Sequence, residues 1–313
     1  AHSMANLSSR GILGRTGFAA ALRAHNSAAG SHSLPLSGGG LRAGSRWYAL
    51  GGRVGDVAGG MLGRGERGMA STPKRPLRVG IEGNIASGKS TLLDLLRKNF
   101  RITTVPEPVG KWQKVPSEGG DETGHNMLEL FYQDPHRWAY TFQSYAFLSR
   151  LQAQIAPQPI FAGEEPPDMV VYERSVFSDK HIFGLNCRDM GLFNQVEWGI
   201  YNDWHAWLVS SFDVHLDAVI YLQTSPETCM DRVKKRKRSE ETTVSLDYLR
   251  ALHGRHESWL CPVEGDADWC GAEPPRLLVV DGDAEFENDP ARRAQVMVEI
   301  QSFLSFPMLP DKV

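Results

Sequence analysis

Cysteine is scarce in this chain: four in 313 residues, Cys187, Cys229, Cys261 and Cys270. None forms a C-x-x-C pair, which argues against a disulfide framework or a zinc site and fits a reducing compartment. No apolar run is long enough to span a bilayer. With 41% hydrophobic and 23% charged residues the composition is that of a soluble globular protein, and no membrane partner is expected. An Asn-Lys-x-Asp guanine motif is also missing, which counts against a GTP-dependent switch. Acid is missing from one end. The first 55 residues hold no Asp or Glu, and residues 1–72 hold eight arginines, no lysine, and only Asp56 and Glu66 as acids. An Arg- and Ser-rich, acid-poor leader has the composition of a mitochondrial transit peptide, so 1–72 reads as a disordered leader directing the protein to the matrix. Gly38-Gly39-Gly40 suits disorder, and the amphipathicity of Gly14–His25 is weak. The competing reading is a tail without an address on a cytoplasmic or nuclear protein. Ala1-His2-Ser3 ahead of Met4 reads as a cloning remnant, and Met61 and Met69 offer alternative starts. The total charge is −3, so the chain beyond the basic leader is acidic, which weighs against a nucleic-acid partner.

What is present is organised around Gly83-Asn84-Ile85-Ala86-Ser87-Gly88-Lys89-Ser90, which fits the phosphate-binding pattern G-x-x-x-x-G-K-[ST]. An apolar run, Leu77–Glu82, precedes it as a strand. A run carrying Leu92, Leu93, Leu95 and Leu96 follows as a helix. Gly83 and Gly88 let the backbone curl so that N–H groups converge, and the helix N-terminus adds partial positive charge there. Lys89 then reaches the β- and γ-phosphates and Ser90 offers a hydroxyl to Mg²⁺.

From residue 73 onward strand-like runs (Leu77–Glu82, Ile102–Pro106, Met169–Glu173, Ala218–Gln223, Arg276–Asp281) alternate with helical patterns near 89–99, 135–155, 193–210, 225–237, 246–260 and 289–305. This alternation predicts one α/β domain over 73–313, a five-stranded parallel sheet with helices on both faces. Ligands of such sheets bind at the carboxyl ends of the strands. Glu107, fixed between Pro106 and Pro108, stands at such an end. It reads equally as a general base or as a surface acid in a rigid turn. Asp134-Pro135 caps a helix on which Gln143, Ala146 and Arg150 share one face, suited to the edge of a flat ring or to a partly exposed polar stripe. Val170–Ser175 is an apolar strand ending in Glu173, a Walker-B-like metal ligand, with Arg174 placed to neutralise a transferring phosphoryl group. Asp179 falls in a first helical turn. The cation run Arg232–Arg238 reads as a solvated helix face, a nucleic-acid patch or a lid closing on nucleotide phosphates. Trp198, Trp204 and Trp207 are spaced for core or interface packing. His205, His253 and His256 are assigned no chemistry. Cys261–Pro275 and Ser117–Gly124 read as surface loops.

Taken in order, IEGNIASGKST, VPEPV, RWAYTFQSYAFLSR, ERSVFSD, IYNDWHAW, YLQTSPETC and LHGRHESWL resemble the deoxyribonucleoside kinase family, in its deoxycytidine and deoxyguanosine kinase branch, from about Leu77 to Leu304. The resemblance implies a P-loop kinase fold with an Arg-rich lid, ATP or another triphosphate as donor, Mg²⁺, and a homodimer built on helices. It implies that Glu107 is the base for a sugar 5′-hydroxyl, and that Arg174 lies near that hydroxyl and the phosphates. Gly83 to Thr91 and Arg232, Arg236, Arg238, Glu285 and Phe286 would hold the donor, Ser90 and Glu173 the metal. Gln143, Arg150 and Asp179 would read the base. Phe142 and Phe183 would sandwich it, with Trp112 and Ile85 at the wall, and Tyr132 and Glu241 would contact the 3′-hydroxyl. The sequence departs from the pattern at Phe177, where tyrosine is common, in a lysine-rich lid, and over 261–275. The Arg-rich leader with LHGRHESWL favours the mitochondrial deoxyguanosine enzymes of the branch, whereas Ala146 favours the deoxycytidine enzymes. A nucleoside monophosphate kinase on the same fold is the competing enzyme reading. It would need arginines for an acceptor phosphate and would leave Glu107 without a task.

Overall fold

The computed structural model describes residues 75–116, 124–156, 167–238, 241, 243–265 and 267–306. The leader at 1–72 lies outside the described residues, as does 117–123, nearly all of the loop expected at Ser117–Gly124. Strands β1 (Leu77–Glu82), β2 (Ile102–Val105), β3 (Met169–Glu173), β4 (Ala218–Gln223) and β5 (Arg276–Asp281) form one sheet in the order β2-β3-β1-β4-β5. Every pairing is parallel, with Val79 in register with Val171 on one side and with Ala218 on the other. The five expected strands are all present. β2 stops at Val105 rather than Pro106, because a proline cannot donate to a ladder.

The helices are α1 (Lys89–Asn99), α2 (Val109–Gln113), α3 (Met127–Gln133), α4 (Pro135–Ile155), α5 (Val176–Ser178), α6 (Leu185–Asp189), α7 (Gln195–Ser211), α8 (Pro226–Arg236), α9 (Leu246–Leu260) and α10 (Pro290–Leu304). A π-helical turn, Asp179–Gly184, joins α5 to α6. Starts are set by caps. Asp134, Asn194, Ser225, Ser245 and Asp289 each accept a first-turn backbone N–H, and α4, α8 and α10 begin on proline.

Strand side chains alternate between two cores. On one face Val79, Ile81, Val171 and Ile220 pack against the leucines of α1 and against Val296, Met297 and Ile300 of α10. On the other face Val170, Tyr172, Val219 and Tyr221 pack against Phe147 and Leu151 of α4, Tyr201 of α7 and Leu249 of α9. Burying each α1 leucine stabilises the domain by about 1.5–3 kcal/mol, and Leu96→Ala would cost roughly 2–5 kcal/mol because the site cannot collapse. The loop between α9 and β5, expected at the surface, is anchored. Trp269 is 5% exposed and packs on Phe177 and Trp259. Of the three α7 tryptophans, Trp198 and Trp204 pack on Tyr201. Trp207 is exposed, and Val196 and Ile200 with it. Among the described residues no helix is long and apolar enough to cross a membrane.

Candidate active site

At the carboxyl end of the sheet the P-loop curls as its glycines require. Gly83 (φ 151°) and Gly88 (φ 106°) take conformations that L side chains rarely adopt. A Cβ on Gly83 would sit 2.8 Å from the Leu222 carbonyl and 2.7 Å from Ser87 Oγ. The Asn84 side chain is tied into the fold: its Nδ2 donates to Leu249 O of α9 (2.8 Å) and its Oδ1 accepts from Ile85 N. Ser87 is likewise buried, its carbonyl accepting from Thr224 Oγ1 and Arg232. Lys89 donates to the Gly83 and Asn84 carbonyls at 3.2 and 2.7 Å. Burial, with Arg174 nearby, lowers its pKa to about 8.

The loop opens into a cavity of about 620 Å³, the size of a small-molecule site. From the P-loop, Ile85, Ala86, Gly88, Lys89, Ser90 and Thr91 line it, whereas Gly83, Asn84 and Ser87 shape the loop from behind. Ser90 Oγ donates to Glu173 Oε1 at 2.9 Å, so a hydroxyl and a carboxylate meet beside the P-loop. That all-oxygen pair fits the hard-cation chemistry of Mg²⁺.

Four side chains form the charged floor. Arg150 Nε donates to Asp179 Oδ2 at 2.8 Å, and its Nη2 donates to Glu107 Oε1 at 2.9 Å. Arg174 Nε lies 3.4 Å from the same Glu107 oxygen. Burial pushes the Glu107 pKa up, but Arg150, Arg174 and Lys89 outweigh it, and the net shift is below the usual carboxylate range. Asp179 goes the other way. Its burial wins over the Arg150 contact and raises its pKa to about 6. Two carboxylates that share one guanidinium are therefore driven apart by depth. Asp179 Oδ1, and Arg174 Nε and Nη1, are buried without a hydrogen-bond partner.

Arg174 takes φ 64°, a conformation costing about 1–2 kcal/mol for a residue with a Cβ. The turn is held by its N–H donating to Ile81 O (2.9 Å) and by Glu82. Fully buried at the end of β1, Glu82 accepts from Ser175 Oγ (2.8 Å) and Ser178 Oγ (2.7 Å). Its pKa is raised by burial against the opposing pull of Arg174 and the two hydroxyls. In the sequence Glu82 stands only as the last residue of a strand.

The apolar wall brings together Trp112, Phe142 and Phe183. Phe142 stacks on Phe131 (4.9 Å, 17°) and meets the edge of Trp112 (5.5 Å). Arg174 lies over the Phe183 ring at 4.9 Å. Gln143, Tyr132 and Ala146 line the same space, all buried. Lys235 of the cation run also lines it, as do Phe131, Leu128, Tyr248 and Val109, to which the sequence assigns no site role. The signal for Phe131 and Leu128 was the Asn126 cap ahead of an apolar Met127–Gln133 run.

The three arginines of the cation run have partners. Arg232 donates to the Ser87 and Gly282 carbonyls at 2.8 and 2.9 Å. Arg236 makes a two-pronged pair with Glu241, and Arg238 lies 3.8 Å from Glu241. Glu241 thus ties the lid to the cavity beside Tyr132, whose phenol pKa is raised by burial and by that carboxylate. Glu285 accepts backbone N–H groups of Glu287 and Asn288, and Phe286 packs into the core below Gly88. Both still line the cavity mouth.

Comparison with known proteins agrees with this geometry. The family model "Deoxynucleoside kinase" matches residues 79–305. The chain is 40% identical over 247 residues to "Deoxycytidine kinase 2" of Gallus gallus, covering 75% of this chain and 93% of that protein. It is 36% identical to "Deoxyguanosine kinase, mitochondrial" of Xenopus laevis (73% and 89%) and 36% identical to "Deoxycytidine kinase" of Homo sapiens (75% and 94%). A parallel sheet ending in a P-loop, a walled cavity beyond it and these matches along most of the domain place the chain in the deoxynucleoside kinase family, in its deoxycytidine and deoxyguanosine kinase branch.

Proposed function

We propose that this protein transfers the terminal phosphoryl group of ATP to the 5′-hydroxyl of purine deoxynucleosides, deoxyguanosine and deoxyadenosine, and of deoxycytidine, in nucleotide salvage. The observation that carries the reading is the Arg150 bridge. One buried guanidinium holds Asp179 at 2.8 Å and Glu107 at 2.9 Å, and Asp179 keeps a buried oxygen without a partner. A base-reading pair at one end of the cavity is thereby tied to a proton acceptor beside the P-loop.

In this reading Glu107 takes the 5′-hydroxyl proton as the new O–P bond forms and the bond to the departing diphosphate breaks. Lys89 and Arg174 stabilise the charge that gathers on the transferring group, and Arg232, Arg236 and Arg238 close over the donor. Ser90 and Glu173 would hold Mg²⁺, which when bound neutralises phosphate charge. Gln143, Arg150 and Asp179 read the base between Phe142 and Phe183, against Trp112. Tyr132 and Glu241 hold the 3′-hydroxyl.

Arg150 offers only donors and Asp179, when ionised, only acceptors. That pair suits acceptors such as guanine O6 and N7 or cytosine N3 and opposes the thymine N3–H and O4. A panel of deoxyguanosine, deoxyadenosine, deoxycytidine, thymidine and the four monophosphates, each with ATP, tests the reading. Thymidine as the best acceptor, or phosphorylation of monophosphates alone, overturns it. The second reading is a deoxycytidine-preferring enzyme of cytoplasm or nucleus. It is favoured by Ala146 on the cavity wall and by relatives named deoxycytidine kinase. Deoxycytidine leading the panel selects it. Exposed apolar Val196, Ile200 and Trp207 on α7, with Leu148 on α4, support a homodimer through these helices. Sedimentation of the purified protein as a monomer at micromolar concentration would remove that part.

A further inference from the structure

The sequence shows no metal-ligand spacing around its cysteines, yet the fold assembles a donor set from distant positions. Asp268 and Cys270 lie on the loop between α9 and β5. His181 lies on the π-helical turn nearly ninety residues earlier. Cys270 Sγ is 3.5 Å from His181 Nε2, and Asp268 Oδ2 is 3.8 Å from the same nitrogen. All three donor atoms fall within 4.8 Å of one another. Around a tetrahedral zinc, bonds of 2.0–2.3 Å separate donors by about 3.3–3.7 Å, so small side-chain adjustments bring these atoms onto one ion.

The surroundings hold the donors in place. The His181 ring stacks on Trp259 (5.1 Å, 12°), and the buried Trp269 fixes the loop beside it. Cys270 N donates to Asp268 Oδ1 at 2.7 Å, which occupies that oxygen and leaves Oδ2 toward the histidine. Asp268 is 61% exposed, so an ion enters from solvent. The ammonium of Lys180 lies 3.4 Å from Cys270 Sγ and 3.6 Å from Asp268 Oδ2. A cation already lies against this pair, and a divalent ion would replace it.

We propose that His181, Asp268 and Cys270 form a binding site for a zinc-class divalent ion, with water in the fourth position, that ties the loop between α9 and β5 to the turn carrying Asp179 and Phe183. Thiolate and imidazole donors select zinc-class ions over Mg²⁺. Binding releases the Cys270 thiol proton to solvent and swings Lys180 outward.

The test is a Co²⁺ titration of the purified full chain, freed of metal beforehand and followed by absorption, then displacement by Zn²⁺ in competition with a chromophoric chelator. The expected result is one Co²⁺ per chain with a thiolate-to-cobalt charge-transfer band in the near ultraviolet and intense tetrahedral bands in the visible. Cys270→Ser abolishes the charge-transfer band and weakens Zn²⁺ by at least about tenfold. Cys261→Ser leaves both unchanged, and Lys180→Met tightens Zn²⁺ by removing the competing ammonium. A wild-type protein without the charge-transfer band, or a Cys270→Ser variant that keeps the band or the wild-type zinc affinity, overturns the proposal. The readout involves no phosphoryl transfer, so its outcome is independent of the functional reading above.

Discussion

Removing the guanidinium that Asp179 and Glu107 share should move the acid limb of the rate profile upward. Glu107 must be ionised to accept a proton, so activity is lost as pH falls through its folded-state pKa. That pKa lies below the ordinary carboxylate value because Arg150, Arg174 and Lys89 outweigh its burial. Arg150 is the nearest of the three, at 2.9 Å. At an effective dielectric of about 20 and a charge separation of about 4 Å, the attraction is roughly 4 kcal/mol. Arg174 remains in the variant and water will enter, so Arg150→Met should raise the Glu107 pKa by part of that attraction, toward the ordinary carboxylate range. Asp179 complicates the measurement. It titrates near pH 6 and loses the same partner. The comparison is therefore made in an Asp179→Asn background, which removes that second carboxylate. The assay is kcat/KM against pH from 4 to 9 for the best deoxynucleoside, with and without Arg150→Met. An acid limb that stays within a few tenths of a unit refutes the assignment of Glu107 as the base, or of Arg150 as the group that keeps it ionised.

Three other outcomes are expected. Glu107→Gln should keep nucleoside binding, measured by calorimetry, and lower kcat by about 10²-fold or more; near-normal kcat removes it from the mechanism. Lys89, with a pKa of about 8 in the free protein, should become fully charged against triphosphate. ATP binding then takes up a proton, and affinity weakens by about tenfold from pH 7 to pH 9. An affinity flat over that range, or one that strengthens, contradicts the assignment, and Lys89→Ala should abolish transfer altogether. Residues 4–72 fused to a fluorescent reporter should carry it to mitochondria; diffuse cytosolic signal removes the targeting claim and shifts weight to the deoxycytidine reading.

The parts legible in the sequence were those with long-range regularity. Five apolar runs and six helices of three turns or more announced the sheet and its layers, and Gly83 through Ser90 announced the phosphate end. The unannounced parts are one- or two-turn elements and contacts between distant residues. Helices Val109–Gln113 and Met127–Gln133 are too short for a 3.6-residue period to stand out, yet they bring Trp112, Phe131 and Tyr132 to the cavity. The π-helical turn has no sequence period at all, and it sends Asp179 and Phe183 into the cavity while His181 stacks outside on Trp259. Glu82 read as the last residue of a strand. Its partners Ser175 and Ser178 lie beyond the neighbouring strand, and only the parallel pairing of β1 with β3 brings them together.

Among the described residues eleven buried side-chain polar atoms lack a hydrogen-bond partner, and the three at the floor of the cavity bear on how such a site is maintained. A buried donor or acceptor without a partner costs roughly 1–3 kcal/mol, and most folds avoid it. Here Arg174 contributes Nε and Nη1, and Asp179 contributes Oδ1, at the floor of one cavity. Arg174 adds a left-handed backbone, and the lowered pKa of Lys89 records a cation held where burial disfavours charge. These costs lie within residues joined by direct contacts: Asp179 to Arg150, Arg150 to Glu107, Glu107 to Arg174. The two hydrophobic cores on either face of the sheet hold that row rigid from outside. A ligand with an anionic group at one end and ring acceptors and donors at the other would satisfy the unpaired atoms together. The strain that this connected row does carry is matched to a bipartite ligand, a phosphate donor meeting a nucleoside, rather than to a single small anion at the P-loop.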